Sequence, residues 1–538
     1  MSNKILIFII FLLALFLRIY NLSSVPVGFH QDEAANAYMG KFIILNGKDF
    51  YGNTWPIFYF DKWGDYPPVL PMYFSGLGSL IFGDNVFGAR IVIAFFGALT
   101  VVSIFYLSLH IFKKESLALI SAFFLAIMPW HIVFSRTSAE GILALFFFTT
   151  ALAYYFSAKN KPKRSTLAFA FFLLSYLSYP SFRLIVPLSY LALVLIDKFE
   201  FKKFHKSTVA FTIFFFFLTF WISTTDWGGA RLKQTSILNE ITKNMDYYNQ
   251  FIFDDKSILT ARVFHNKLVF FVQDFLKQYL NYFSPTYLFM GENANPAWYR
   301  YPNSGLIYFY FGLVSFGLIL ANVKNKQLPL SPVVFIFIIF LLFATPVPAA
   351  LTYEHAIHMH RSIGMILPLT LLFTIGLYFW IKIFSKHSKI FLGLSFLILA
   401  IEFINFTHNY FGHVSVYSSL HRSEANQYAA LYIKENKNKY NSVQMFVTGW
   451  FPVYYLYHTS NYSKELIGKI NKMYFPKIEN VLFIPKDCPD QQDIDKLDKN
   501  SLILFSSICD PNLYTKVKQI DSIKSISGLG IFNVFVTM

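Results

Sequence analysis

Charge is scarce in this chain. Only 14% of its 538 residues are Asp, Glu, Lys or Arg, against about 25% in soluble domains. That scarcity excludes an ordinary soluble class. Apolar residues fill the space: 55% of the chain is hydrophobic, 20% is aromatic and Phe alone takes 65 positions, with a mean hydropathy of +0.45. The composition is that of a polytopic membrane protein. Acidic residues are the scarcer sign, 30 against 46 basic, leaving a net charge of +16. The excess does not imply a nucleic-acid partner, because Lys and Arg fall in short clusters between apolar runs. A small-residue cleavage site is also lacking after the first apolar segment, and Arg18-Ile19-Tyr20 continues it. Ile5 to Leu22 is therefore expected to be an uncleaved anchor. Cysteine occurs twice, as Cys488 and Cys509 in the polar C-terminal part. They are two unrelated thiols or, if that part lies in an oxidising space, a disulfide.

The apolar runs predict about eleven membrane spans: 5–22, 86–112, 116–131, 137–157, 166–180, 183–197, 207–223, 305–322, 331–347, 361–382 and 389–406. Lys4, Lys113-Lys114, Lys159 to Arg164, Lys198 to Lys206, Lys324 to Lys326 and Lys382 to Lys389 then share one side. By the positive-inside rule that side is cytoplasmic. The N-terminus is expected inside, and loops 23–85, 223–304 and 347–360 outside, on the exoplasmic face of the plasma membrane. The apolar stretch Val69 to Gly83 is too short to span and reads as an interfacial or re-entrant helix.

From about residue 407 the pattern changes. Ser423 to Glu435 has helical periodicity. Val443 to Thr448, Val481 to Pro485, Ser501 to Ser506 and Ile531 to Val536 read as short strands between turn signals. The expected organisation is a transmembrane domain over 1–406 and a small exoplasmic α/β domain over 407–538.

Five polar groups cluster at the exoplasmic span ends. They are His30, Asp32 and Glu33; Asp65 and Tyr66 before Pro67-Pro68; Arg136 with Glu140; Arg183; and Glu354, His355, His358, His360 and Arg361. Taken alone, Asp32 is as well read as a helix cap, and Arg136 with Glu140 as a local i,i+4 pair. Charges at membrane depth are costly, however, and usually functional. Guanidinium forks suit phosphate oxygens, and a carboxylate suits removal of a proton from a hydroxyl. Together at a lipid boundary, they suit transfer from a lipid-linked phosphate donor. At least two of Arg136, Arg183 and Arg361 are expected to share one cavity with Asp32 and Asp65 and bind phosphate there. A divalent metal on Asp65, His358 and His360 is the weaker reading, since the histidines lack a tight structural spacing.

Several of these stretches also carry a resemblance. Leu17-Arg18-Ile19-Tyr20-Asn21-Leu22, Asp32-Glu33-Ala34, Tyr66-Pro67-Pro68-Val69-Leu70 and Phe87-Gly88-Ala89-Arg90 follow one another in order. Pro129-Trp130-His131 with Ser135-Arg136, Tyr282-Phe283-Ser284-Pro285 and Pro348-Ala349-Ala350-Leu351-Thr352 with His360-Arg361 continue the series. In these the chain resembles the GT-C membrane glycosyltransferases of the protein O-mannosyltransferase-like group (glycosyltransferase family 39), related to the lipid A aminoarabinose transferases. The resemblance implies a polyprenyl-phosphate-sugar donor and an inverting transfer of mannose or a similar sugar to a protein hydroxyl or a cell-envelope glycan or lipid. It assigns the base to Asp32, accompanied by Glu33, and places Asp65, Tyr66 and Glu140 around donor and acceptor. Glu140 stands where Asp is common. The relatives' Glu-Lys pair before the prolines is Asp65-Tyr66 here, so a lysine contact to phosphate is missing at that position. Segment 224–304 is too short to hold the inserted β-trefoil of eukaryotic relatives.

The alternative of another class is a lipid-linked sugar transporter or flippase. Against it, no internal repeat is visible and the charges sit at span ends. An oligosaccharyltransferase would carry a Trp-Trp-Asp motif in the C-terminal domain, where only Gly449-Trp450-Phe451-Pro452 is found.

Overall fold

The structure, a computed structural model, describes residues 3–62, 64–158, 162–201, 205–229, 236–237, 263–264, 266–292, 294–323, 327–353, 357–470, 475 and 477–538. Helix α1 (Asn3–Ile19) opens the chain, followed by α2 (Gln31–Asn46), α3 (Leu70–Phe82) and α4 (Val86–Phe112). Then come α5 (Glu115–Ile127), α6 (Pro129–Ser135), α7 (Glu140–Ser157), α8 (Pro162–Ser178), α9 (Phe182–Ile196) and α10 (His205–Thr224). Further long helices cover Phe309–Val323, Pro332–Ala344, Ile366–Ile383 and Ser388–His408. Every segment expected to span thus lies on a helix, and the protein is a multi-pass membrane protein. Among the described residues, six helices are long and apolar enough to cross a bilayer on their own, or seven with α5 and α6 taken as one bent span. The others are shorter: α1 has 17 residues and α9 has 15, about 25 Å and 22 Å at 1.5 Å per residue. Val69 to Gly83, read as an interfacial segment, contains the 13-residue α3.

The break between α5 and α6, a bend of 58°, follows from Pro129. Proline has no N–H to continue the ladder and clashes with the preceding turn. The freed carbonyls find other donors. Arg18 reaches Leu125 O at 3.3 Å and Ala126 O at 3.0 Å, and Tyr308 Oη donates to Ile127 O at 2.8 Å. A buried arginine from α1 is therefore spent on a helix kink.

After the membrane helices, Glu424–Asn436 forms the expected helix and five strands make one sheet: β1 (Ser442–Phe446), β2 (Val481–Ile484), β3 (Ser501–Ser506), β4 (Val517–Lys524) and β5 (Gly530–Thr537). The order is β2-β1-β3-β5-β4; β1 pairs in parallel with β2 and β3, and β5 pairs antiparallel with both β3 and β4. Four of the strands were legible as apolar runs. Strand β4, Val-Lys-Gln-Ile-Asp-Ser-Ile-Lys, was not, because it is a largely exposed edge with little apolar periodicity. Cys488 and Cys509 are joined in a disulfide, with Cα atoms 5.6 Å apart.

The sheet region is not separate from the membrane part. Phe29, Ala34, Tyr38 and Phe42 from the stretch around α2 share one apolar core with Val443, Tyr454, Tyr457 and Phe483. Tyr38 Oη donates to Asn461 O at 2.6 Å, and Tyr462 Oη to Asp84 Oδ1 at 2.8 Å. Helices α2 and α3 cross backbone to backbone at Gly40 and Gly76, where a Cβ on Gly40 would stand 1.8 Å from Met72 O. The loop that carries Asp32 is thus held between the bundle and the C-terminal sheet.

Candidate active site

The first turn of α2 sets the site. His30 is the cap: its Nδ1 accepts the Asp32 N–H at 3.3 Å, while the Glu33 carboxylate accepts the His30 N–H at 3.0 Å. Such a reciprocal box satisfies two orphan donors at once. At 3.6 residues per turn, neighbours point about 100° apart, so Asp32 and Glu33 face different surroundings.

Asp32 opens into a cavity of about 550 Å³, its side chain 46% exposed. Asp65, Glu140, Lys62, His358, His360 and Arg361 line the same cavity, with Tyr179, Trp298, Tyr299 and Trp450. The Lys62 ammonium pairs with Asp32 Oδ1 and lies 4.6 Å from the centre of the Trp450 ring. A turn brings Lys62 and Asp65 together: the Lys62 N–H donates to Asp65 O at 2.7 Å, and the Asp65 N–H to Lys62 O at 3.2 Å. Gly64 supplies the positive φ of +93° this turn requires. Glu140 starts α7, and its Oε1 accepts from Asn36 Nδ2 at 2.8 Å.

Glu33 is buried and lies outside this cavity. Its Oε1 accepts from Arg90 Nε at 3.0 Å, and its Oε2 from Arg90 Nη2 at 2.9 Å and Arg422 Nη2 at 2.7 Å. Arg90 also donates to the carbonyls of Leu22, Pro26 and Gly28, and Arg422 to those of Val27 and Trp298. Burial by itself would raise the Glu33 pKa; the Arg422 and Arg90 guanidiniums outweigh it and hold the carboxyl below its ordinary range. His30 is stacked on Trp298 at 4.6 Å. Burial pushes its pKa down to about 4, against the opposing pull of Asp32. The imidazole is therefore neutral, as its acceptor role in the cap requires, and its 3.5 Å approach to Asp32 Oδ2 is not an ion pair.

Of the site residues expected from sequence, the structure brings together Asp32, Asp65, Glu140, His358, His360 and Arg361. The expectation that two of the three arginines share the cavity is not met, since Arg361 alone of them lines it. Arg136 is buried at the corner before α7 and donates to the carbonyls of Leu17, Tyr20 and Val25 at 2.7–2.9 Å, closing the turn after α1. Arg183 reaches Phe58 O at 3.3 Å, and the Tyr66 ring packs edge-on against Tyr59 at 5.5 Å; neither lines the cavity. Glu354 and His355 lie outside the described residues.

Among the described residues, no group of three or more His, Cys, Asp or Glu is placed to hold a metal ion. The trio Asp65, His358 and His360 does not fit one in this arrangement. His360 Nε2 already accepts the Gly141 N–H at 2.9 Å, and its ring is stacked on Tyr179 at 4.3 Å.

Lys62 and Arg422 escaped the sequence reading, and Arg90 and Trp450 were named there without a place in the site. The one local signal was Lys62 itself, three residues before Asp65 with a glycine between. The others reach the site only through tertiary contact.

Residues 65–222 match the family model described as dolichyl-phosphate-mannose-protein mannosyltransferase. ArnT from Cupriavidus metallidurans, solved bound to undecaprenyl phosphate, superposes with a TM-score of 0.54 at 11% identity, covering 98% of this chain and 97% of that one. The protein has the GT-C membrane fold. The likeness to ArnT extends through the C-terminal region as well, since the match covers 98% of this chain and 97% of that one. The Archaeoglobus fulgidus oligosaccharyltransferase, solved in complex with Zn and sulfate, is matched at a TM-score of 0.46 and 13% identity over 84% of this chain. This chain covers 61% of that protein's length. No curated protein sequence matches the chain.

Proposed function

We propose that this protein is a membrane hexosyltransferase that moves mannose or a similar sugar from a polyprenyl-phosphate donor to an acceptor hydroxyl. The acceptor belongs to a protein or to a cell-envelope glycan or lipid. The plasma membrane is its place, with the cavity and the C-terminal region, about 407–538, on the exoplasmic face, as the basic-loop alternation argues.

The observation that carries this reading is the half-exposed Asp32 carboxylate in one cavity with Lys62 and Arg361. Asp32 takes the proton of the acceptor hydroxyl. The acceptor oxygen bonds to the sugar C1 from the face opposite the phosphate, the C1–O bond to phosphate breaks, and its electron pair leaves on the phosphate oxygen. Configuration at C1 inverts. Arg361 and Lys62 supply positive charge where the leaving phosphate gains negative charge. Asp65 and Glu140 are further carboxylates of the cavity, placed to accept hydroxyl hydrogens of sugar or acceptor. Trp298, Tyr299 and Trp450 offer ring faces to apolar sugar faces. Glu33, consumed by two arginines, positions the turn that presents Asp32.

Purified protein incubated with radiolabelled polyprenyl-phosphate-mannose and candidate hydroxyl acceptors tests the reading. Label should pass to an acceptor with the wild-type chain and not with Asp32→Asn. Movement of lipid-linked sugar across vesicles without any transfer would favour a flippase and overturn it.

A further inference from the structure

We propose that Lys62 is a latch on the base: it holds Asp32 until the phosphate of the lipid donor draws the ammonium away, so that donor binding unmasks Asp32 for the acceptor. This inference rests on the transferase reading above. A carboxylate that carries a lysine ammonium on its oxygen is a poor proton acceptor, because its charge is offset and a lone pair is engaged. The ammonium of Lys62 is seated on Asp32 Oδ1, and the lysine side chain is only 8% exposed. With the pair intact, Asp32 Oδ1 is engaged and the ammonium offsets the charge that a base needs. Something must move before it can act as a base.

Lys62 is built to move and Asp32 is not. Asp32 sits in the first turn of a capped helix, with its N–H on His30 Nδ1. Lys62 has a flexible four-carbon stem ending in a point charge. The ring beside the ammonium is Trp450, 4.6 Å away. A ring face attracts a cation without fixing its direction, so Trp450 keeps the ammonium in the cavity while it swings. The contrast is Glu33, whose two guanidiniums are fully buried and tied to backbone carbonyls. That node has no second position to offer. Asp32, Asp65 and Glu140 line this cavity against Arg361 and Lys62, so an arriving phosphate adds to an excess of negative charge and draws Lys62 toward it beside Arg361. Phosphate and Asp32 therefore compete for Lys62. Trp450 lies on the loop after β1, so the C-terminal sheet region sets where the latch rests. The kinetic consequence is ordered addition, donor before acceptor.

The test is a double-mutant cycle on binding of undecaprenyl phosphate to the purified full chain in detergent, read by native mass spectrometry, with undecaprenol as the phosphate-free control. Asp32→Asn removes the competitor and should tighten undecaprenyl phosphate binding about three- to tenfold. Lys62→Met should weaken it about tenfold or more. Asp32→Asn added to Lys62→Met should tighten nothing, because no latch is left to release. Undecaprenol should bind alike in all four proteins. Equal tightening by Asp32→Asn with and without Lys62 would be plain charge repulsion and would overturn the latch. So would unchanged binding on loss of Lys62. Lys62→Gln repeats the cycle if Lys62→Met does not fold. Binding is read without transfer: a protein that shows the coupling but moves no sugar keeps the latch and loses the transferase reading. One that moves sugar with additive mutants loses only the latch.

Discussion

The two sides of the first turn of α2 differ more than their sequence does. On the cavity side, Asp32 is half-exposed and paired with a flexible lysine. On the core side, Glu33 is buried between Arg90 and Arg422, with the spare donors of both arginines on loop carbonyls. On the function proposed above, adjacent residues of equal charge are divided between chemistry and architecture. A carboxylate meant to accept a proton needs a site where its charge state can change. One meant to hold a loop needs partners that make the change expensive.

The largest effect expected from breaking this division is on turnover. Asp32→Asn keeps the side chain's shape but cannot take the proton, so the rate should fall on the order of 10²–10⁴-fold, with a smaller drop in melting temperature than Glu33→Gln. A helix-capping role for Asp32 would instead leave activity intact, because Asn caps as well as Asp; radiolabel transfer distinguishes the two. Glu33→Gln should do the reverse. It leaves two guanidiniums without their counter-charge in the core, a loss of about 3–5 kcal/mol, visible as a lower melting temperature of the purified protein. Unchanged stability would show that the arginine node is not what holds the turn.

Away from α2, Cys488→Ser together with Cys509→Ser opens a loop with a sequence separation of 21. About 3 kcal/mol of local stability should go with it, seen as faster proteolysis within the C-terminal sheet while the bundle stays intact. Arg361→Lys keeps the charge but loses the fork. Donor KM should rise about tenfold with a smaller change in kcat, and an unchanged KM would remove Arg361 from phosphate recognition.

The smallest expected effect is a pH dependence. His30 has its pKa pushed down to about 4 by burial, from an ordinary value of 6.5. Between those values the unfolded chain binds a proton that the folded chain does not. Stability from this group is complete above about pH 6.5 and is lost as pH falls toward about 4. His458, also pushed down to about 4 by burial, adds a parallel loss. His30→Asn retains a capping oxygen and should flatten part of the decline in melting temperature over that window. An identical decline in the variant would show that His30 does not contribute.

Much of the fold was legible because hydropathy is local. Apolar runs such as Val86–Phe112 and Ile366–Ile383 are helices, and the apolar stretches around Val443, Val481 and Ser501 are strands. The site was legible only where its residues follow one another closely. Asp32 beside Glu33, and Asp65 before the prolines, stood out. Arg136 misled for a physical reason: a guanidinium at a span end serves equally well as a phosphate fork or as a cap for orphan carbonyls, and sequence does not say which oxygen it will meet. Lys62 was overlooked because one lysine in an aromatic loop has no periodic partner.

By itself, the sequence determined a many-helix membrane protein with a small C-terminal α/β region, and it marked Asp32-Glu33 at the mouth of the first helix. Only tertiary structure decided which of that pair faces the cavity. It also decided that Arg90 and Arg422, 57 and 389 residues away, absorb the other, and that Trp450 crosses from the sheet region to meet Lys62. The physical reason is range. Transfer free energy and turn chemistry act on neighbours in the chain, whereas charge pairing and cavity walls depend on which helix ends come together.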